Sequence, residues 1–352
     1  MIWIIDGVNI IGAVDYFLSC IWAVQFFGMS EFELTVPCTE ENLNLLKKGR
    51  ILARNTDRSG TLFDNCMIIR KVSLTYDSEH GYLLKVSGTG LKGLLSQRII
   101  WDQYSITDTA VQVVVREMVL QNAVRDDERG ISNLTIDYTG DVATEEASFQ
   151  LHGENLAEWI EAVATQYGFG WDIVLDDGQY VFKLYAGTDR TRNQGDVPPV
   201  VFSENMDNLI DCEFTVDYET FKNAAQIGGE GEGTAQTTAS IGTAEDMERF
   251  EAYIDGSAVS SNGSIISAAD YEAMLQQYGE EQIAELKKTV SFSATVDTEA
   301  PYKVNEDFFI GDIVEVAAGF GINATARLIE IIFSEDQNGT QAVGNFTEWE
   351  VE

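Results

Sequence analysis

Hydrophobic and polar residues alternate with a period of two over most of the chain, and with a helical period in only a few places. Leu18, Cys20, Trp22, Val24 and Phe26 alternate with Ser19, Ile21, Ala23 and Gln25, the pattern of a strand with one deeply buried face. Gly28 ends that run, and Glu31 to Val36 alternates again up to Pro37. Thr39 or Glu40 then opens a short helical turn over Glu41 to Leu46, closed by Lys47-Lys48-Gly49. Three strands follow over Arg50 to Asn55, Thr61 to Tyr76 and Tyr82 to Gly88, with turns expected at Asp57–Gly60 and Ser78–Gly81. Strands joined by such turns predict a small barrel or sandwich.

Helical periodicity begins past residue 105. Thr107 or Asp108 is the expected cap of a helix to about Asn122, with Val111, Val114, Val115, Met118 and Val119 on one face. Asn155 and Glu158 have capping-box spacing, Leu156, Trp159, Ile160, Val163 and Tyr167 form the stripe of a second helix, and Gly168 ends it. Phe169 to Leu175 and Gln179 to Tyr185 read as strands joined at Asp177-Gly178, a two-residue hairpin signal. After Val200-Val201-Phe202 the period of two returns over Leu209 to Tyr218, Phe221 to Gly228 and Phe250 to Asp255. Gly229 to Gly242 is rich in small residues and reads as a loop or a long hairpin tip. A helix over about 267–288 is expected to kink or split at Gly279. Val290 to Val296, Phe308 to Val316, Thr325 to Phe333 and Val343 to Val351 complete the pattern. The order is therefore a β unit (1–105), an α/β middle (106–199) and a second β unit with one inserted helix (200–352), an α+β chain that is mainly β.

Charge changes this picture more than composition does. The 352 residues include 58 acidic and 22 basic side chains, a formal net charge of −36. A surface of that sign does not wrap nucleic acid by neutralising phosphates, and it does not favour anionic membranes. It suits solubility, or a conduit through which a polyanion slides without sticking. The four cysteines have neither C-x-x-C nor metal-ligand spacing and are expected to be reduced, and the two histidines lie far apart. The run Tyr16 to Gly28 is too short for a membrane span. No motif for a serine, cysteine or metal hydrolase is present, so no catalytic residue, cofactor or metal is expected. Gly88 to Leu95 is glycine-containing but lacks P-loop spacing, and Arg125 to Gly130 reads as a solvated turn rather than a calcium loop.

Several short pieces, taken in order, resemble one family. Trp22 with Phe27 to Leu34, Val86-Ser87-Gly88 with Leu91, Leu94-Leu95 and Arg98-Ile99, then Gly187 to Thr191, Val201-Phe202-Ser203, Lys222-Asn223 and Gly311 to Val314 are similar to the siphophage tail proteins of the ReqiPepy type. That resemblance, over roughly residues 20–335, implies the fold of a tail hub: two β-barrel-like domains flanking an α/β part. It implies a virion protein of the tail tip or baseplate, assembled in the host cytoplasm. It also implies a homotrimeric ring joining a distal tail or tail-tube protein to a tail-tip or fibre protein, with DNA passing through the axis and no membrane insertion. Enzymatic activity, where such hubs carry it in a C-terminal domain, is expected on a separate protein. Asp189, Arg190, Thr191, Asn223 and Asp312 are then candidates for structural turns or interfaces, with Asp189 the expected centre of a polar turn. An adsorption module that binds carbohydrate or a receptor is the competing reading, and the aromatic residues assigned to inward faces speak against it.

Overall fold

The computed structural model describes residues 1–78, 81–125, 128–231, 233–261, 267–297, 301–336 and 339–351. The chain is mainly β and forms two compact units: Met1–Ile210 with Thr295–Thr347, and Asp211–Ala294 with Glu348–Val351.

The alternating segments of the first unit form one large sheet. Its strands run in the order Val201–Ser203, Ile313–Ala317, Asn323–Asp336, Ser19–Gln25, Glu31–Pro37, Gly81–Gly90, Met67–Asp77, Ile51–Arg54, Ile2–Asp6 and Asn9–Val14, with Gly339–Phe346 also on Asn323–Asp336. Period-two burial places Trp22, Val24, Leu34, Val36, Leu84 and Val86 on one face, where they share a core with Ile2 and Ile4. Ile2–Asp6 lies five pairings from Ser19–Gln25 along the sheet, so the sheet curls around that core. Among the described residues no sheet closes into a barrel, because the hydrogen-bonded path stays open at both ends. Strands from the two expected β units thus join one sheet, through antiparallel pairing of Asn323–Asp336 with Ser19–Gln25.

A second core lies under a five-stranded sheet built from Leu134–Ile136, Gln179–Tyr185, Gly170–Asp176, Leu62–Phe63 and Arg58–Ser59. The helices Val111–Val119 and Leu156–Tyr167 bury their apolar stripes in it. The Asn155 carboxamide accepts from the N–H groups of Ala157 and Glu158 at 3.1 and 3.3 Å, and Gly168 leaves the helix at φ 70°. Asp177 and Gly178 take φ 44° and 74°, the left-handed pair that a tight hairpin requires.

Four expectations need correction. The helix expected from Thr107 or Asp108 starts at Val111, because Tyr104–Ala110 is a strand paired with Glu146–Leu151, a partner strand with no clear signal of its own. The long strand expected over Thr61 to Tyr76 is broken into Leu62–Phe63 and Met67–Asp77, and the hairpin turn sits between Ser59 and Leu62. The expected strand Phe308 to Val316 is shortened to Ile313–Ala317. In the second unit, Ala268–Ala284 is one uninterrupted helix. Its Gly279 packs so tightly on Ile227 that a Cβ would stand 2.6 Å from that side chain, so this glycine serves close approach rather than a kink.

That helix covers a three-stranded sheet in which Ala224–Gly228 pairs antiparallel with Thr238–Ile241 and parallel with Glu251–Asp255. Ile227, Ile254, Tyr271 and Leu275 fill the space between. The small-residue stretch after Gly229 therefore contains a short helical turn and a return strand. A separate ribbon pairs Leu209–Asp217 with Thr289–Val296. Parts of the Ser78–Gly81 turn and the Arg125–Gly130 loop lie outside the described residues. No disulfide is formed among the described residues, and no helix among them is long and apolar enough to cross a membrane.

Candidate functional site

The segment Gly187 to Arg192 leaves the hairpin strand Gln179–Tyr185 and runs alongside Ile313–Ala317. Asp189 bridges Ile313 in parallel register, the Arg190 N–H donates to the Ile313 carbonyl at 2.8 Å, and the Ile313 N–H donates to the Thr188 carbonyl at 3.0 Å. Two buried carboxylates fasten this run. Asp312, 3 % exposed, accepts from the Thr188 N–H at 2.8 Å, the Phe309 N–H at 3.0 Å and Arg190 Nε at 2.5 Å. Glu315, equally buried, accepts from the Arg192 N–H at 3.0 Å and Arg192 Nε at 2.9 Å, and a third bond comes from Arg192 Nη2. Charge-assisted, two-pronged bonds of this kind fix direction as well as distance. Burial alone would push the Glu315 carboxyl upward; the donors from Arg192 outweigh it and hold the group below its usual range.

Asp189 sits in the polar turn expected of it. Its side chain is exposed and closes a local turn by accepting from the Thr191 N–H at 2.8 Å. Thr191 is 4 % exposed, and its Oγ1 accepts from the Asn193 N–H at 3.3 Å. The structure thus brings Asp189, Arg190, Thr191 and Asp312 into one cluster. Asn223 belongs to the other unit, where its amide nitrogen donates to the Glu248 carbonyl at 2.7 Å and its oxygen accepts from the Phe250 N–H at 2.9 Å.

The cluster continues into a second knot. At Gly187 a Cβ would stand 1.7 Å from the Gly311 carbonyl oxygen, so two backbones meet there with no side chain between them. Gly311 has φ +92°, and the edge of the Phe26 ring occupies the space that a Cβ would need. The Arg327 guanidinium donates to the Gly311 carbonyl at 2.7 Å and lies 5.4 Å from the Phe26 ring centre. Phe26 also packs edge-on against Tyr185 at 5.3 Å.

Beyond Phe26 the turn at residues 25–28 is held from beneath by Lys92, 1 % exposed. Its ammonium donates to the carbonyls of Gln25, Phe26 and Gly28 at 2.8, 3.2 and 2.9 Å, and it sits 4.9 Å from the Trp171 ring centre. Trp171 Nε1 donates to the remaining carbonyl of the turn, Phe27, at 2.7 Å. Burial lowers the Lys92 ammonium to about 8, against the pull of Asp172 and Glu161. Lys92 sits in a glycine-containing stretch where its role has no local signature, since its acceptors lie 64 to 67 residues earlier. Arg192 and Glu315 were also not anticipated. Arg192 directly follows the Gly187–Thr191 pattern, and its partner is 123 residues away.

Removing the Glu315 charge tests the outer half of the clamp. A carboxylate held below its ordinary pKa contributes stability that is complete above about pH 4.5 and fades as the pH falls through the lowered value. Urea midpoints of the wild type and Glu315→Gln are expected to converge between pH 5 and pH 3. A constant gap across that range would contradict the assignment.

The fold defined by these elements is that of phage tail proteins. Over 98 % of both chains it is similar to the crystal structure of the prophage MuSo2 43 kDa tail protein from Shewanella oneidensis, with TM-score 0.50 and 16 % identity. It is also similar to a tail protein from Neisseria meningitidis (TM-score 0.49, 15 % identity, 99 % of this chain and 95 % of that one) and to the prophage tail protein gp18 from Listeria monocytogenes (0.45, 14 %, 99 % and 94 %). The chain belongs to the siphovirus ReqiPepy6 Gp37-like protein family, whose model matches residues 1–344. No curated protein matches it.

Proposed function

We propose that this chain is a structural tail-hub or baseplate protein of a tailed bacteriophage. In this reading three copies form a ring that joins the distal tail or tail-tube protein to the tail tip or its fibre, and DNA leaves through the axis of the ring. The observation that carries the reading is the family match over residues 1–344. The site geometry supports it. The buried charged side chains of the clamp and of the 25–28 turn are spent on holding three separated chain segments at fixed distances, which is what a load-transmitting joint needs. The net charge of −36 supports it too, since an acidic bore repels DNA phosphates and lets the polymer slide. The role is non-enzymatic, and its place is the tail tip of the virion after assembly in the host cytoplasm.

Light scattering coupled to size exclusion tests the stoichiometry. Three copies of a 39.0 kDa chain give about 117 kDa. A mass that stays at one chain at concentrations of tens of micromolar would contradict the proposal.

A further inference from the structure

The strand Met67–Asp77 outruns its neighbour Ile51–Arg54. It pairs with Ile51–Arg54 only through Met67 and Ile68, and the last backbone bonds on that side join Ile69 to Arg50 and Gly49. From Lys71 onward its outer edge has no strand partner among the described residues. A bulge between Ile69 and Lys71 shifts the register there, after which Val72, Leu74 and Tyr76 stand opposite Val86, Leu84 and Tyr82. Opposite residues share a face, and Val86 and Leu84 are buried in the core. Val72, Leu74, Tyr76 and Tyr82 are nevertheless 42, 57, 68 and 60 % exposed. They continue the core face of the sheet past the point where the chain covers it, with the two tyrosine rings edge-to-face at 5.1 Å.

An apolar stripe beside an unpaired edge is a template for strand addition, and isolated chains usually blunt such edges. Charge points to what covers this one. Residues 47–85 carry eight basic and four acidic residues in a chain whose net charge is −36; Arg50, Arg54 and Lys85 are paired with Asp6, Asp57 and Glu33, which leaves Lys47, Lys48 and Lys71 beside the stripe. Lys47 and Lys48 sit at one end of the stripe, beside the Gly49–Ile69 bond, and Lys71 lies on the edge itself. Two copies of so acidic a chain repel over most of their surfaces, and here a second copy meets the opposite sign. We propose that the outer edge of residues 71–77 and the stripe Val72–Leu74–Tyr76–Tyr82 form a subunit interface, covered by an acidic strand or loop of a second copy of this chain. The proposal rests on the tail-hub reading and locates the contact between its subunits.

The test compares the wild type with Leu74→Glu/Tyr76→Glu by sedimentation velocity. Both side chains are more than half exposed, so the monomer fold is retained, as far-UV circular dichroism checks. The wild type is expected to be trimeric and the variant monomeric, with association at least 10-fold weaker. A variant that assembles like the wild type overturns the interface and leaves the hub reading standing; a monomeric wild type overturns both. Hydrogen exchange on the unmodified protein gives a second readout that does not depend on the variant. Alternate amides of residues 71–77 are expected to exchange at least 10-fold more slowly in the assembled state than after dilution to monomer. Equal rates in the two states overturn the proposal.

Discussion

Replacing Lys92 by methionine is expected to destabilise the first unit by about 3 kcal/mol, since a buried acceptor left without its donor costs about 1–3 kcal/mol. The substitution keeps most of the side-chain volume but takes away the donor that the carbonyls of Gln25, Phe26 and Gly28 share, along with the contact to the Trp171 ring. Urea unfolding followed by tryptophan fluorescence reads the loss. A change below about 1 kcal/mol, the scale of a single ordinary hydrogen bond, would mean that those carbonyls do not depend on the ammonium. The pH dependence adds a signature that a mere packing defect lacks. Lys92 titrates at about 8 in the folded chain against 10.5 when unfolded. Between those values the unfolded chain binds the extra proton, so this group adds stability as the pH rises through that window. The gap between wild type and Lys92→Met is therefore expected to widen from pH 8 to pH 10.

Asp312→Ala is the second large effect, about 3–5 kcal/mol, the usual cost of removing one partner from a buried ion pair. It strands the Arg190 guanidinium, whose side chain is 14 % exposed, and leaves the N–H groups of Thr188 and Phe309 without their acceptor. Asp189→Ala removes one local turn bond from an exposed side chain and is expected to cost about 1 kcal/mol. Chemical denaturation of the two variants side by side separates the accounts. If Asp189→Ala proves the more damaging, the joint is held by the turn and not by the buried carboxylate.

These contrasts mark how much of the molecule was legible in its sequence. The helix after Asn155 and the hairpin at Asp177-Gly178 were readable because cap and turn chemistry act over two or three residues. The alternating strands were readable for the same reason, but not their partners: nothing local pairs Ser19–Gln25 with residues 330–336. Tyr104–Ala110 was misread because its role is set by a strand about 40 residues on. Asp312 and the Gly187–Thr191 pattern were both visible, yet their order of importance was not. An aspartate in a polar turn and one under three donors look alike until burial is known. Lys92 shows the limit most plainly, since three carbonyl acceptors leave no trace in residue identity.

The proposed hub ring is tested most directly by negative-stain class averages of the purified protein at concentrations where it assembles. Rings with threefold or pseudo-sixfold symmetry around a central opening are the expected result. Particles of single-chain size, or assemblies with twofold symmetry and no opening, would contradict it.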